Sequence, residues 1–431
     1  MSGERTIRVG ALARVEGEGA LHVRVRDESV ESVRLEIFEP PRFFEALLRG
    51  RPAADAPDVT SRICGICPIA YQVSACAAVE AALGIEVDEP TLALRRLIYC
   101  GEWLESHSLH VFMLHAPDFL GYDGAIEMAR DGHEEIFERG LLIKRAGNQL
   151  MSVIGGRPVH PVNLRIGGFH RPLERHELEG VAETLRQTRE QALEALDWAG
   201  KLEFPEREFD VELAALGGDG ERYPFEGGEL CSDGGPPIAA EQFERDYLET
   251  QVPHSTALHC SHRERGTYLV GPLARYGLFS ERLPEPILAA ARDAGLGPVC
   301  RNPFQSIVVR CVEMLFAVEE ALALIADYEP PAPAQPPALR SGAGCGWSEA
   351  PRGMLWHRYE LGDDGRIASA RIVPPTSQNQ PAIEADLRSL VQANLELADD
   401  ELQALCETTV RNYDPCISCS THALELRIDR G

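Results

Sequence analysis

Cys64-Gly65-Ile66-Cys67 and Cys416-Ile417-Ser418-Cys419 are two CxxC pairs near opposite ends of a 431-residue chain. Most of the sequence lies between them, so only tertiary folding brings them together. Four thiolates meeting in a fold interior form a soft, electron-rich pocket suited to nickel, iron or zinc. A lone CxxC is a weak signal, because zinc clips and redox dithiols both use it. A structural zinc site usually gathers its ligands within a few tens of residues, where it compensates for a small core. This chain is long enough to bury a large core without such help.

Working outward, the remaining cysteines (Cys76, Cys100, Cys231, Cys260, Cys300, Cys311, Cys345 and Cys406) are scattered. A disulfide scaffold is smaller and denser in cysteine, so the pattern predicts a reducing compartment. The start, Met-Ser-Gly-Glu-Arg-Thr, has no apolar signal region, and no uninterrupted apolar run of about 18 residues occurs. We therefore expect a cytoplasmic protein with no membrane span. A net charge of −26 with no basic tract argues against nucleic acid as a partner.

Residues 6–39 often alternate apolar and polar side chains, as in Leu21-His22-Val23-Arg24-Val25, predicting a β-ribbon that turns at Asp27-Glu28-Ser29. Helical spacing follows over Leu97 to Leu114 and Leu178 to Leu196. Residues 205–240, rich in Gly, Pro and acid, predict a surface excursion. Pro330 to Pro337 predicts a stiff connector. A hairpin is predicted from Leu355 to Leu361 and Ile367 to Val373, turning at Gly362-Asp363-Asp364-Gly365. One more helix, about Ala382 to Leu397, precedes the tail. Because both ends must reach one site, residues 1–431 are expected to form one unit. Its fold class is α+β and mainly helical, with a central helix bundle and peripheral β-ribbons.

The surroundings of the two pairs select among the metals. Arg62-Ile63-Cys64-Gly65-Ile66-Cys67 and Asp414-Pro415-Cys416-Ile417-Ser418-Cys419-Ser420-Thr421-His422 resemble the signature motifs of the large subunit of nickel–iron hydrogenases. Arg14-Val15-Glu16-Gly17, Phe44-Glu45, Gly156-Arg157-Pro158-Val159-His160-Pro161 and Glu349-Ala350-Pro351-Arg352-Gly353 match the same family in order. The run Pro375-Thr376-Ser377-Gln378-Asn379-Gln380 looks like the family's cytosolic, NAD(P)-linked, sulfhydrogenase alpha-like branch. So does Pro68-Ile69-Ala70-Tyr71-Gln72, with Tyr71 where many relatives carry His. The resemblance implies the family's fold and a nickel–iron centre whose iron carries CO and cyanide.

By position, the resemblance makes Cys64 and Cys416 terminal nickel ligands, and Cys67 and Cys419 bridges to iron. Heterolysis of H2 needs a metal centre, a base for the proton and a route out for each product; metal-bound sulfur remains basic, and Cys416 is the candidate base. Glu16 matches the proton-relay carboxylate, although composition alone reads it as a surface residue in a Gly-flanked turn. Arg352 is expected over the open metal position, held by Asp118 and Asp414. Its blander reading is a salt bridge that ties the chain ends together. Pro351 and Thr376 are expected beside the cofactor, with Thr376 donating a hydrogen bond to a cyanide. Glu45, the carbonyl of Ile372 and His422 match a second, hard-cation site, magnesium or iron. His107, His110 and His115 share one helical stretch and stay unassigned between a metal pair and capped or solvated side chains.

No further cysteine cluster is available for an iron–sulfur centre, so the resemblance implies an iron–sulfur small subunit as partner. The Gly156-to-His160 and Gly167-Gly168 loops are candidate contacts. A flavin-containing NAD(P) reductase subunit and a further iron–sulfur subunit would follow, since this chain has no Gly-x-Gly-x-x-Gly after a strand. Residues 423–431 match a tail that a maturation endopeptidase removes. Two other classes are alternatives: a non-catalytic subunit like the quinone-site subunit of respiratory complex I, which lacks the cysteine pairs, and a scaffold with a structural zinc held by four cysteines.

Overall fold

The computed structural model describes residues 4–38, 43–335, 338 and 340–420. About 51% of the chain is helical, with several small sheets, as the α+β expectation required.

The alternating N-terminal segment forms an antiparallel sheet of β1 (Glu4–Val9), β2 (Gly19–Arg26) and β3 (Ser29–Ile37). Leu21 and Val23 face the core opposite Leu35 and Val33. The β2–β3 turn places Asp27 and Glu28 at φ 48° and 60°, the left-handed pair of a tight hairpin turn.

The first CxxC runs directly into helix α1 (Pro68–Leu83), whose residues are buried on nearly every side. A helix without a polar face belongs at the centre of a large protein. Helix α2 (Glu89–Ser108) starts at Asp88, whose side chain accepts the Thr91 amide at 3.0 Å. It crosses α3 (Glu134–Gly155) where Gly101 and Gly147 meet; a Cβ on Gly147 would stand 2.5 Å from the Gly101 carbonyl oxygen. Helices α4 (Arg175–Ala199) and α5 (Ser306–Ala326) complete the bundle.

On the other side of α1 lies a sheet of β4 (Gly342–Ala350), β5 (Gly353–Leu361) and β6 (Ile367–Val373). Strand β4 is absent from the sequence expectation, because Gly342-Ala343-Gly344-Cys345-Gly346 reads as a loop. Its alternate glycines are what let it lie on α1. A Cβ on Gly344 would be 2.3 Å from the Ala82 nitrogen, and one on Gly346 2.3 Å from the Ala78 nitrogen. Both obstacles are backbone, which cannot rotate away. Gly344→Ala is therefore expected to destabilise the protein by at least about 1–3 kcal/mol, read as a lower midpoint in urea with unchanged slope.

The hairpin at Gly362–Gly365 matches expectation. Residues 205–240 do not merely skirt the surface: Tyr223 and Phe225 are fully buried, and the Phe225 ring centre lies 4.2 Å from that of Trp103. The expected Ala382–Leu397 helix begins earlier, as α6 (Pro375–Ala393), and a further helix, α7 (Asp399–Asn412), follows it. Residues 330–335 carry no regular element, while Pro336 and Pro337 fall outside the described residues, as do Glu39, His422 and 423–431. Among the described residues no helix is long and apolar enough to cross a membrane.

Candidate metal centre

The two cysteine pairs meet. Cys64 follows a short helical turn in extended conformation, and Cys67 caps the start of α1. Cys416 and Cys419 lie on the segment that leaves α7. Cys64 Sγ is 3.5 Å from Cys416 Sγ, Cys67 Sγ is 3.7 Å from Cys419 Sγ, and Cys416 Sγ is 3.0 Å from Cys419 Sγ. All four are at most 3% exposed and none is in a disulfide. Ligands about 2.3 Å from a tetrahedral metal stand roughly 3.7 Å apart, so the cage fits a thiolate-bound metal. The amides of Ile66 and Cys67 point at Cys64 Sγ, at 3.3 and 3.4 Å.

Four thiols this close cannot all ionise without a cation. Hydrogen bonds from Cys416, Cys419 and Cys67 hold Cys64 well below the usual thiol range, whereas the Cys419, Cys64 and Cys67 sulfurs and burial push Cys416 well above it. Protons crowded onto shared sulfurs are the mark of a site built for a metal.

Glu16 enters from the β1–β2 connection, where its backbone forms a parallel bridge with Cys416 and its carbonyl accepts the Ile417 amide at 2.9 Å. Its Oε2 lies 3.2 Å from Cys416 Sγ and accepts the Ser418 amide at 3.0 Å. The residue is half-buried, with its carboxyl against the thiol.

Arg352 is 2% exposed. Its Nε donates to the Asp414 carbonyl at 2.9 Å, Nη2 to Asp414 Oδ1 at 3.1 Å and Nη1 to Ser106 Oγ at 3.2 Å. Asp414 adopts φ 49°, a strained conformation for a residue with a side chain, immediately before Pro415 and Cys416.

Asp118 does not hold Arg352. It takes both ends of the Arg411 guanidinium at 2.7 Å and also pairs with Arg14. Burial alone would raise its carboxyl, but the Arg411 hydrogen bonds and charge keep it below the usual range. The sequence reading chose the wrong arginine, since the last turn of α7 carries Arg411 to Asp118 while Arg352 approaches from the β4–β5 hairpin. Asp118 thus ties the segment before Glu16 to the segment before Cys416.

The Pro351 carbonyl accepts from Arg275 Nη2 at 3.0 Å, and the Ala350 carbonyl from Nη1 at 2.9 Å. Arg275, Glu313 and Glu349 are fully buried, and the arginine pairs with both carboxylates at 2.7–2.8 Å. The group fixes the hairpin that delivers Arg352. Sequence reasoning missed it, although Arg310 and Glu313 inside the apolar run Ile307–Val318 were a usable signal. It also missed Glu102, whose carboxylate accepts the Ile69 and Ala70 amides at 2.6 and 3.1 Å. Since Pro68 has no amide hydrogen, Glu102 caps the free donors at the start of α1, next to Cys67.

Thr376 is buried, and its Oγ1 accepts the Cys416 amide at 3.1 Å, leaving its own hydrogen for another acceptor. Glu45 Oε1 accepts the Ile372 amide at 2.8 Å, and burial pushes its carboxyl up to about 7. Two of the three expected second-site residues are therefore adjacent, while His422 lies outside the described residues. His107, His110 and His115 are not solvated, and among the described residues they do not form a metal-ligating group of three. They are buried, with His107 Nε2 2.9 Å from Glu313, His110 Nε2 2.8 Å from the Arg411 carbonyl and His115 Nε2 3.0 Å from Asn412. Tyr71, also buried, packs on His357 with ring centres 5.7 Å apart.

The model for the family described as nickel-dependent hydrogenase matches residues 42–139 and 308–422. The chain is 32% identical to sulfhydrogenase 1 subunit alpha of Pyrococcus furiosus, over 97% of this chain and 98% of that one. It is 27% identical to the NAD-reducing hydrogenase HoxS subunit beta of Cupriavidus necator, over 97% and 95%. Its fold is similar to that of an NAD+-reducing [NiFe]-hydrogenase solved in the H2-reduced state, with a TM-score of 0.87, 27% identity and coverage of 97% and 99%. At this identity and coverage the chain belongs to the nickel-dependent hydrogenase family, as a large subunit.

Proposed function

We propose that the four-cysteine cage holds a nickel–iron pair and that this chain is the catalytic subunit of a hydrogenase that interconverts H2 with protons and electrons. The observation that carries this is the convergence of four buried thiols with a carboxylate 3.2 Å from one of them. When bound, the metal pair supplies the Lewis acidity that polarises H2 and accepts its electrons.

The chain's own groups then have separable roles. The four sulfurs would hold the pair together, and by the resemblance Cys64 and Cys416 would be its terminal ligands and Cys67 and Cys419 the ligands shared with an iron carrying CO and cyanide. The Cys416 sulfur takes the proton, and Glu16 Oε2 receives it across 3.2 Å. The Ser418 amide and the backbone bridge to Cys416 hold that carboxylate in register. Arg352, fixed by Asp414 and Ser106, supplies positive charge beside the thiolates; Pro351 and Thr376 flank the same space. Glu45 and the Ile372 carbonyl, joined by His422 as the resemblance implies, would hold a magnesium or iron ion that offsets a buried carboxylate.

Electrons leave to an iron–sulfur small subunit. The Gly156–His160 loop suits that docking: Val159 is 46% exposed beside Gly65 of the first motif, and His160 Nδ1 anchors the loop to the Ser61 carbonyl at 2.8 Å. A flavin NAD(P) reductase subunit and a further iron–sulfur subunit carry the electrons on, and a maturation endopeptidase acts on residues 423–431. Elemental analysis with infrared spectroscopy of the purified complex tests the reading. Nickel and iron with CO and cyanide stretching bands are expected; zinc alone, without those bands, would replace it with a structural four-cysteine zinc site.

A further inference from the structure

A second group of ligating side chains stands apart from the cysteine cage. His254 lies in the loop after the strand Tyr247–Gln251, His259 on the strand Leu258–His262, and Glu384 on α6. Their ligand atoms all lie within 4.8 Å of one another. His254 Nε2 is 2.8 Å from Glu384 Oε1, and that same oxygen accepts the Leu35 amide at 2.8 Å. The two imidazole rings are 5.6 Å apart and nearly perpendicular, so they present nitrogens to a common space rather than stacking. Nε2 of His259 is buried without a hydrogen bond of its own, although the Gln380 side chain also faces that ring. Burial favours the neutral form of His259, the form that ligates. His254 and Glu384 keep 17% and 18% exposure, enough for an ion to enter.

The geometry points to a binding site for a zinc-class divalent ion formed by His254, His259 and Glu384. Two imidazoles and one carboxylate are a familiar donor set for Zn2+, with ligand distances of about 2.0–2.2 Å and ligand–ligand separations near roughly 3.4 Å. Contraction by at most about 1.4 Å from the present spread closes it. The ion would join the loop 252–257, the strand Leu258–His262 and α6, and through the Leu35 amide on Glu384 also β3. That loop is already fastened by the Thr256 amide to the Ile37 carbonyl at 2.7 Å, and its Ala257 packs on Ile37 and on Ile417 between Cys416 and Cys419. The ion is thus a clip on the outer wall of the cage, and it does not rest on the nickel reading.

The purified complex, freed of loose metal and then given Zn2+, tests this. Anomalous diffraction at the zinc edge is expected to show a peak among the three side chains, and metal analysis one additional zinc per chain. His259→Gln and Glu384→Gln should each lose that zinc and the zinc-dependent rise in melting temperature, while keeping the parent's H2 turnover. A zinc peak only elsewhere, no zinc at all, or an undiminished zinc content in both variants would overturn the site. The peak in the parent protein decides the matter if a variant fails to fold.

Discussion

Glu16→Gln is expected to keep nickel and iron in place while slowing H2 turnover and hydrogen-isotope exchange with water by about 10²–10⁴-fold, the usual worth of a positioned proton-transfer group. The substitution preserves shape. Glutamine can still accept the Ser418 amide through its carbonyl oxygen, and the backbone bridge to Cys416 involves no side chain. What it loses is the ability to take a proton from the Cys416 sulfur and release it elsewhere. Metal content and infrared bands therefore serve as internal controls, and isotope exchange is the decisive reading. Parent-like exchange in a fully loaded E16Q enzyme would remove Glu16 from the proton route.

Arg352→Lys is the second large effect. The guanidinium engages the Asp414 carbonyl, the Asp414 carboxylate and Ser106 simultaneously, from a position only 2% exposed. An ammonium on a flexible stem cannot span these three acceptors, although it preserves the charge that balances the thiolates. Metal retention with a loss of turnover of about 10²–10³-fold is expected, comparable to removing one preorganised charge-stabilising donor. Determination of nickel and iron alongside kcat separates the outcomes. Near-normal kcat would reduce Arg352 to a structural tie between the hairpin and Asp414.

Much of the site was legible because its signals are local: two CxxC pairs, a Glu before a glycine in Arg-Val-Glu-Gly, and Arg after Ala-Pro. Which of them meet is a tertiary fact, and there the reading rested on resemblance. Asp118 shows the limit. Arg14, Arg352 and Arg411 are all suitable partners chemically, and only the paths of the β1–β2 connection and of α7 decide between them. The fold shows the same division. Alternation revealed the N-terminal ribbon, but the glycines that seat β4 on α1 look like a loop until the helix beneath them is known. Helix α6 was placed late because Pro375 and Pro381 suggest interruption, yet Pro375 opens the helix where no amide partner is needed. Burial of Tyr223 and Phe225 within an acidic, Gly-rich stretch was equally hidden, since composition averages over the two side chains that matter.

The bridge between Glu16 and Cys416 joins residues 400 positions apart, and this has a bearing on biosynthesis. At about 5–20 residues per second, a ribosome delivers the second partner roughly 20–80 s after the first. For most of that interval, once Cys67 has been made, Cys64 and Cys67 stand as an unfinished dithiol, able to capture stray zinc or copper or to be oxidised. Assembly of the cage therefore waits until Cys419 has been made. Whatever shields the leading pair from the wrong ion during elongation matters as much to the yield of active protein as the delivery of the right one.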